Sequence, residues 1–229
     1  MNVVITCGPA WEPIDRVRRI TNFSTGRLGI TLANTFARLG WDVVCFKGEQ
    51  ATCRDPLDAR VHSVDFSTND DLAAKLRAVA GNIRVDAVLH AAALCDYKVG
   101  EIRAEDGRPL ECQKLPTREG PIQFRLVPAT KILPQLRGLF PGARIIGWKY
   151  ELDGSREDAF AAARRQLREA QSDGCVLNGA AYGAGFAWVT AVAPVIELGD
   201  AAALCDCLAR WLRAALPEQA SRATRPVHG

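Results

Sequence analysis

Short runs of consecutive apolar residues constrain this chain more than any other feature. Val3-Val4-Ile5 runs into the breaker Cys7-Gly8-Pro9. Val43-Val44-Cys45-Phe46, Ala87-Val88-Leu89, Ile145-Ile146 and Cys175-Val176-Leu177 have the same character. A strand that is apolar at successive positions is apolar on both faces and must be covered on both. Between these runs the period changes. Residues 27–39 carry apolar side chains at 28, 32, 36 and 39, a helical spacing closed by Gly40. Ser67-Thr68-Asn69-Asp70 supplies N-cap candidates for a helix over about 70–79. Val61 to Phe66 alternates as a further strand, and residues 86–91 form the fourth.

This β-α-β-β-α-β succession predicts an α/β fold: a Rossmann-like, doubly wound, mostly parallel sheet with helices on both faces. In the second half, Ile122 to Val127, Ile145 to Trp148 and Cys175 to Asn178 read as strands, and Thr130 to Leu139 and Ser155 to Gln171 as helices. Phe186 to Thr190 and Pro194 to Leu198 read as a hairpin, a small antiparallel extension, followed by a helix over Ala201 to Leu216. Residues 98–120, polar and rich in Gly and Pro, read as a long loop or flap. The 229 residues suit one domain over 1–216 and a mobile tail over 217–229.

Composition excludes several classes. A net charge of +3 is too small to imply nucleic acid, whose groove binders usually carry a concentrated basic face. No apolar run approaches the roughly 20 residues of a membrane span, and the N-terminus lacks the pattern of a signal peptide. The eight cysteines include no C-x-x-C pair, and three histidines offer no companion spacing for zinc. We therefore expect free thiols in a reducing cytoplasm. Cys205 and Cys207, two apart on a helix, do not share a face and read as structural.

In an open parallel sheet, ligands bind beyond the carboxyl ends of the strands. Three segments fall there. In the first, residues 8–26, Ser24-Thr25-Gly26 precedes a helix and suits either an anion at the helix N-terminus or a simple cap. Gly8, Gly26 and Gly29 permit close backbone approach, and Arg18, Arg19 and Arg27 are potential phosphate partners. In the second, Ala91-Ala92-Ala93-Leu94-Cys95-Asp96-Tyr97, small residues leave room, and Asp96 suits a ligand hydroxyl, a cation or a turn cap. In the third, Asn178 suits a ligand or an Asx turn. Lys114, in the flap, is either solvated or a mobile countercharge.

Together these residues resemble the phosphopantothenoylcysteine synthetase (phosphopantothenate–cysteine ligase) family of coenzyme A biosynthesis, the ligase half of the bacterial bifunctional flavoprotein. The block Thr6-Cys7-Gly8-Pro9-Ala10-Trp11-Glu12-Pro13-Ile14-Asp15-Arg16-Val17-Arg18 is similar to the family's opening T-x-G-G-T-x-E-P-I-D-P-V-R. Ile20-Thr21-Asn22-Phe23-Ser24-Thr25-Gly26-Arg27-Leu28-Gly29 follows its I-S-N-x-S-S-G-x-x-G, and residues 91–97 its A-A-A-V-x-D-[YFW]. Gln113-Lys114-Leu115 resembles its flap, Gly147-Trp148-Lys149-Tyr150-Glu151-Leu152 its G-F-x-x-E-T, and Val176-Leu177-Asn178 its V-A-N. The match runs over about residues 3–198.

The resemblance implies that 4′-phosphopantothenate and L-cysteine are condensed through an acyl-nucleotidylate made from CTP or ATP with Mg²⁺. It assigns Asn22 and Lys114 to catalysis. Asn22, Ala92, Ala93, Asp96 and Arg18 then meet the substrate. Gly8, Ser24, Gly26, Gly29, Asp96, Lys114, Trp148 and Asn178 meet the nucleotide. Mg²⁺ is carried by phosphates, with Asp96 the only side chain named for it. It also implies a homodimer. No decarboxylase segment is present in these residues, so no FMN is expected. Departures are Pro9 for a glycine, Ala10 for a threonine, and the lack of the two helix lysines that bacterial members carry, whose places fall near Gln166 and Ala170. These departures keep open a homologue that only binds a nucleotide or a partner. An NAD(P)- or flavin-dependent reductase fits less well, because neither G-x-G-x-x-G nor Tyr-x-x-x-Lys occurs.

Overall fold

A computed structural model describes residues 1–111 and 113–214. The tail at 217–229, and residues 215–216 of the last expected helix, lie outside the described residues. The first half runs β1 (Asn2–Cys7), β2 (Trp11–Pro13), β3 (Arg19–Thr21), α1 (Arg27–Arg38), β4 (Asp42–Gly48), β5 (Val61–Phe66), α2 (Asn69–Asn82) and β6 (Ala87–His90). The second runs β7 (Tyr97–Ala104), β8 (Ile122–Pro128), α3 (Leu133–Leu139), β9 (Arg144–Tyr150), α4 (Arg156–Ala170), β10 (Gly174–Gly179), β11 (Gly183–Val189), β12 (Ile196–Leu198) and α5 (Ala201–Ala214).

The doubly wound sheet expected from the apolar runs is present. Eight strands lie in the order β12-β11-β10-β9-β6-β1-β4-β5. The six from β10 to β5 pair in parallel, and β11 and β12 add antiparallel at one edge. Strand pleating splits the core. Val3, Ile5 and Cys7 join the cluster under α1 and α5, whereas Val4, between them, joins the cluster under α2 and α3. Helix α1 buries Ile30, Leu32, Ala33, Phe36 and Ala37 as one stripe. Truncating a fully buried phenylalanine such as Phe36 typically costs about 3–5 kcal/mol.

Helix starts follow local chemistry. The Thr68 side chain accepts the Asp71 N–H at the head of α2. Ser155 and Asp158 form a reciprocal capping box on α4. Helix α3 begins at Leu133, not at Thr130 as the sequence suggests. The reason lies in competing bonds: the Thr130 carbonyl accepts the Asn69 amide at 3.0 Å and its hydroxyl bonds Asp70. Pro134 then suits the first turn, where its missing N–H costs nothing.

Two expected loops contain strands. Residues 8–26 fold as the hairpin β2–β3, turned at Asp15–Arg18, where the Ile14 N–H donates to the Arg18 carbonyl at 2.9 Å. The 98–120 flap is half ordered as β7, which pairs antiparallel with β8 as a separate arm. A bulge between Val99 and Glu101 breaks the period-2 pattern that announces a strand. Gly100 is required there, because a Cβ would lie 2.7 Å from the Val127 side chain. Among the described residues, Cys7, Cys45, Cys53, Cys95, Cys175, Cys205 and Cys207 are free thiols. Cys205 and Cys207 both lie in the core beneath α5.

Candidate active site at the carboxyl ends of the central strands

The chain leaves β1 toward β4 on one side and later reaches β6 on the other, so the sheet's switch point lies between the ends of β1 and β6. Backbone bonds extend the sheet past those ends. The Ala93 N–H donates to the Gly8 carbonyl and the Ala10 N–H to the Ala93 carbonyl, both at 3.0 Å. Pro9 sits between these two bonds in a bridge to Ala93 and needs no N–H there. Its substitution for glycine therefore breaks no hydrogen bond of this extension.

Gly8 and Gly26 pack face to face in the left-handed region, with φ of 77° and 78°. A Cβ on Gly8 would lie 2.9 Å from the Ala51 Cβ, and one on Gly26 would lie 3.3 Å from the Gly8 Cα. Gly26 is the N-cap of α1 and offers no side-chain cap; Thr25 Oγ1 accepts the Arg27 N–H at 3.3 Å, and the N–H groups of Leu28 and Gly29 are left for another acceptor. Ser24 is half-buried just before it. Gly29 also has a packing task that its sequence context does not show. Its missing Cβ faces Cys7, 2.1 Å from the Cys7 Cβ, so the glycine permits α1 to lie on β1, and only its N–H remains for a phosphate.

Asn22 joins the first segment to the second. Its Nδ2 donates to the carbonyls of Ala93 at 3.1 Å and Leu94 at 2.9 Å. The fold therefore places Gly8, Asn22, Gly26, Ala92, Ala93 and Asp96 around one switch point. Asp96 is exposed and ion-paired with Lys131, a residue that sequence reading placed inside a helix. Trp148 packs partly against the cluster under α1 and α5, and its Nε1–H is buried without an acceptor. Asn178 is the penultimate residue of β10, three strands from β1, roughly 14 Å away at ordinary strand spacing. The site thus suits an extended ligand.

Lys114 arrives with the flap. Asp15 accepts the N–H groups of Val17, Arg18 and Leu115 and one nitrogen of Arg18. These bonds, that from Leu115 foremost, hold the Asp15 carboxyl down at about 2. The Gln113 carbonyl accepts the Arg16 N–H at 3.0 Å. Arg18, expected at the substrate, is drawn into this tether: its Nη1 meets Asp15 and the Leu115 carbonyl. A cavity of about 640 Å³ opens beside it, lined by Trp11, Arg16, Arg19 and Glu111 among others.

A second cavity, of about 200 Å³, lies beneath the switch point and is lined by His90, Ala92, Asp96, Lys131, Trp148 and Gln166 among others. His90 is buried, and burial lowers its pKa to about 4, so it is neutral at pH 7. The Thr6 hydroxyl takes the Ala92 N–H at 3.3 Å and lies 2.8 Å from His90 Nδ1. Donation of the hydroxyl proton to Nδ1 leaves the His90 proton on Nε2. Asn69, also buried, ties the second segment down: Nδ2 donates to the carbonyls of Cys95 and Thr130, and Oδ1 accepts the Cys95 N–H. Glu12 accepts the Asn69 N–H, while burial raises the Glu12 carboxyl above its ordinary value. His90, Asn69 and Lys131 escaped the sequence reading, because a strand-end histidine, a cap asparagine and a helix lysine each have an ordinary structural explanation. No group of three or more His, Cys, Asp or Glu among the described residues is arranged for a metal ion.

Comparison with known proteins places this geometry. The family model for the DNA/pantothenate metabolism flavoprotein C-terminal domain matches residues 1–203. A relative from Thermococcus kodakarensis, the coenzyme A biosynthesis bifunctional protein CoaBC, is 27% identical over 179 residues, 77% of this chain and 40% of that protein. The chain thus spans less than half the length of the curated CoaBC relatives it first matches. The DNA/pantothenate metabolism flavoprotein from Streptococcus pneumoniae superposes with a TM-score of 0.82 at 20% identity, covering 93% of this chain and 99% of that one. A Cab2 mutant in complex with phosphopantothenate-cysteine superposes at 0.70 with 18% identity, covering 93% and 85%. By sequence match and by fold, the chain belongs to the DNA/pantothenate metabolism flavoprotein C-terminal domain family, the family of the phosphopantothenoylcysteine synthetases.

Proposed function

We propose that this chain is a ligase that joins 4′-phosphopantothenate to L-cysteine through an acyl-nucleotidylate. One observation carries the reading: Asn22 bonds the Ala93 and Leu94 carbonyls beside the open N-terminus of α1, at the switch point of the sheet. The names of the CoaBC relatives and the ligand in the Cab2 complex support it. In the first step a carboxylate oxygen bonds the α-phosphorus of CTP or ATP, the bond to the β-phosphate oxygen breaks, and pyrophosphate leaves. In the second the cysteine amine bonds the acyl carbon, the acyl–phosphate C–O bond breaks, and the nucleoside monophosphate leaves as the amine loses a proton.

Catalysis here is positioning and charge stabilisation. Gly8, Gly26 and the first N–H groups of α1 receive phosphate oxygens. Asn22, bonded to the Ala93 and Leu94 carbonyls, fixes the Ala92–Ala93 wall against which the acyl end lies. Lys114, carried by the Asp15 tether, closes over the phosphates, and Trp148 and Asn178 meet the nucleoside. Mg²⁺ fits as an ion bound through phosphate oxygens with Asp96 as its one carboxylate, the usual manner for this ion. It would neutralise phosphate charge. The arm β7–β8 exposes Tyr97, Phe124 and Leu126, which supports a homodimer. No described helix is long and apolar enough to cross a membrane.

A nucleotide-binding module without turnover is favoured only by α4, where the lysine positions fall near Gln166 and the buried Ala170. Pyrophosphate release with 4′-phosphopantothenate, cysteine and Mg²⁺, run separately with CTP and ATP, tests both readings. Release that requires phosphopantothenate supports the ligase and names the nucleotide. Nucleotide binding without release supports the module.

A further inference from the structure

The cavity beneath the switch point holds one anion and one cation among its lining residues, Asp96 and Lys131. Helix α4 contributes no charge to this lining. Gln166, the α4 residue that lines the cavity, is neutral; its Nε2 sits over Gly147 and donates to Cys175 Sγ at 3.4 Å. Arg164 lies over the Phe160 ring, and Arg165 and Arg168 are exposed and outside the lining. The cation therefore comes from a different element. Lys131, in the link from β8 to α3, is delivered by neighbours that are firmly held. Thr130 is bonded to Asn69 and Asp70, and the Asp96 carbonyl accepts the Ala129 N–H at 2.9 Å.

The pair that Lys131 makes is loose by contrast. Its side chain is 57% exposed and that of Asp96 is 73% exposed. An ion pair so open to water is held weakly and can be exchanged for a stronger anion. We propose that Lys131 is the ammonium that binds a phosphate oxygen of the nucleoside triphosphate, exchanging Asp96 for phosphate when the nucleotide enters. The cation facing the cavity then stands on the β8–α3 link, while α4 presents the neutral Gln166 to it. Asp96, released by the exchange, is freed for the Mg²⁺ that accompanies the phosphates. This inference rests on the nucleotide-dependent ligase reading.

The test compares the full chain with Lys131→Met, Lys131→Arg and the double variant Lys131→Met/Gln166→Lys. Nucleotide binding is measured by titration at several salt concentrations, and pyrophosphate release gives KM for the nucleotide and kcat. Circular dichroism and the thermal midpoint confirm folding. Lys131→Met is expected to weaken nucleotide binding at least tenfold and to make it less sensitive to salt. Lys131→Arg should retain part of the affinity, and placing the charge on α4 in the double variant should recover most of it. Lys131→Met within twofold of the unaltered chain in affinity and KM would overturn the proposal. So would an equal loss in Lys131→Met and the double variant with both folded. An unaltered chain that neither binds nucleotide nor releases pyrophosphate refutes the ligase reading itself.

Discussion

Replacing Gly29 by alanine separates packing from helix propensity at the base of the site. On an exposed helix the change stabilises, by about 1 kcal/mol. Here the new Cβ would sit 2.1 Å from the Cys7 Cβ. Carbon atoms rest about 3.5–4.0 Å apart, so α1 must retreat from β1 by about 1.5 Å or more. Neither Cβ lies beyond a rotatable bond, so no rotamer change relieves the contact. Overpacking of this kind costs about 1–3 kcal/mol, at times more, and we expect a net loss of about 2 kcal/mol for Gly29→Ala. For a chain of this size that lowers the thermal midpoint by about 4–8 °C. Gly81→Ala, on α2 with nothing within 4 Å of the added Cβ, is the matched control and should gain about 0.5–1 kcal/mol. Urea unfolding of both variants gives the two signs. Cys7→Gly should cost less in the Gly29→Ala background than alone, because it opens the same space. A Gly29→Ala protein as stable as its parent would refute the packing argument and return Gly29 to the phosphate.

Three further outcomes follow from the site. Asn22→Ala and Lys114→Ala should each cut pyrophosphate release by orders of magnitude. Lys114→Ala should leave the midpoint unchanged, and Asn22→Ala should lower it by no more than a few degrees, since its two bonds are exposed. Asp15→Asn should loosen the flap, seen as faster limited proteolysis near residue 115. Because the native Asp15 value is depressed from 3.8 to about 2, its stabilising effect is complete above about pH 4 and disappears as pH falls through 2. His90, lowered from 6.5 to about 4, works in a related sense: the unfolded chain takes up its proton first, so stability declines as pH falls from 6.5 to 4. NMR should show no His90 titration between pH 5 and 8, and a midpoint near 6.5 would contradict its burial.

The sheet was legible because its central strands are buried on both faces and display it as unbroken apolar runs. Val61 to Phe66 matched to the residue. The arm was not, since the bulge at Gly100 disrupts the alternation and its polar residues suggest a loop. The β2–β3 hairpin was hidden by strands of three residues, one ending in proline. At the candidate site, residues 91–97 stood out as small residues after a strand end, whereas Asn22 entered only through the resemblance to the family's I-S-N-x-S-S-G block. What Arg18, Gly29 and Lys131 do depends on partners distant in sequence or across a packing interface, and no local pattern reports those. Arg18 answers to Leu115, Gly29 to Cys7, and Lys131 to Asp96.

The Asp15–Leu115 bond has a consequence for the order in which this protein is made. It ties two residues 100 positions apart in the chain. A ribosome adding about 5–20 residues per second must work for several seconds after Asp15 before Leu115 exists. Once Gly48 has been made β1 and β4 can pair, but until Leu115 follows the turn at Asp15–Arg18 lacks the N–H that completes it. The β2–β3 segment of the nascent chain therefore stays unpinned until Leu115 has been synthesised, and a fragment ending before residue 115 should fold its first strands without closing the turn at Asp15–Arg18.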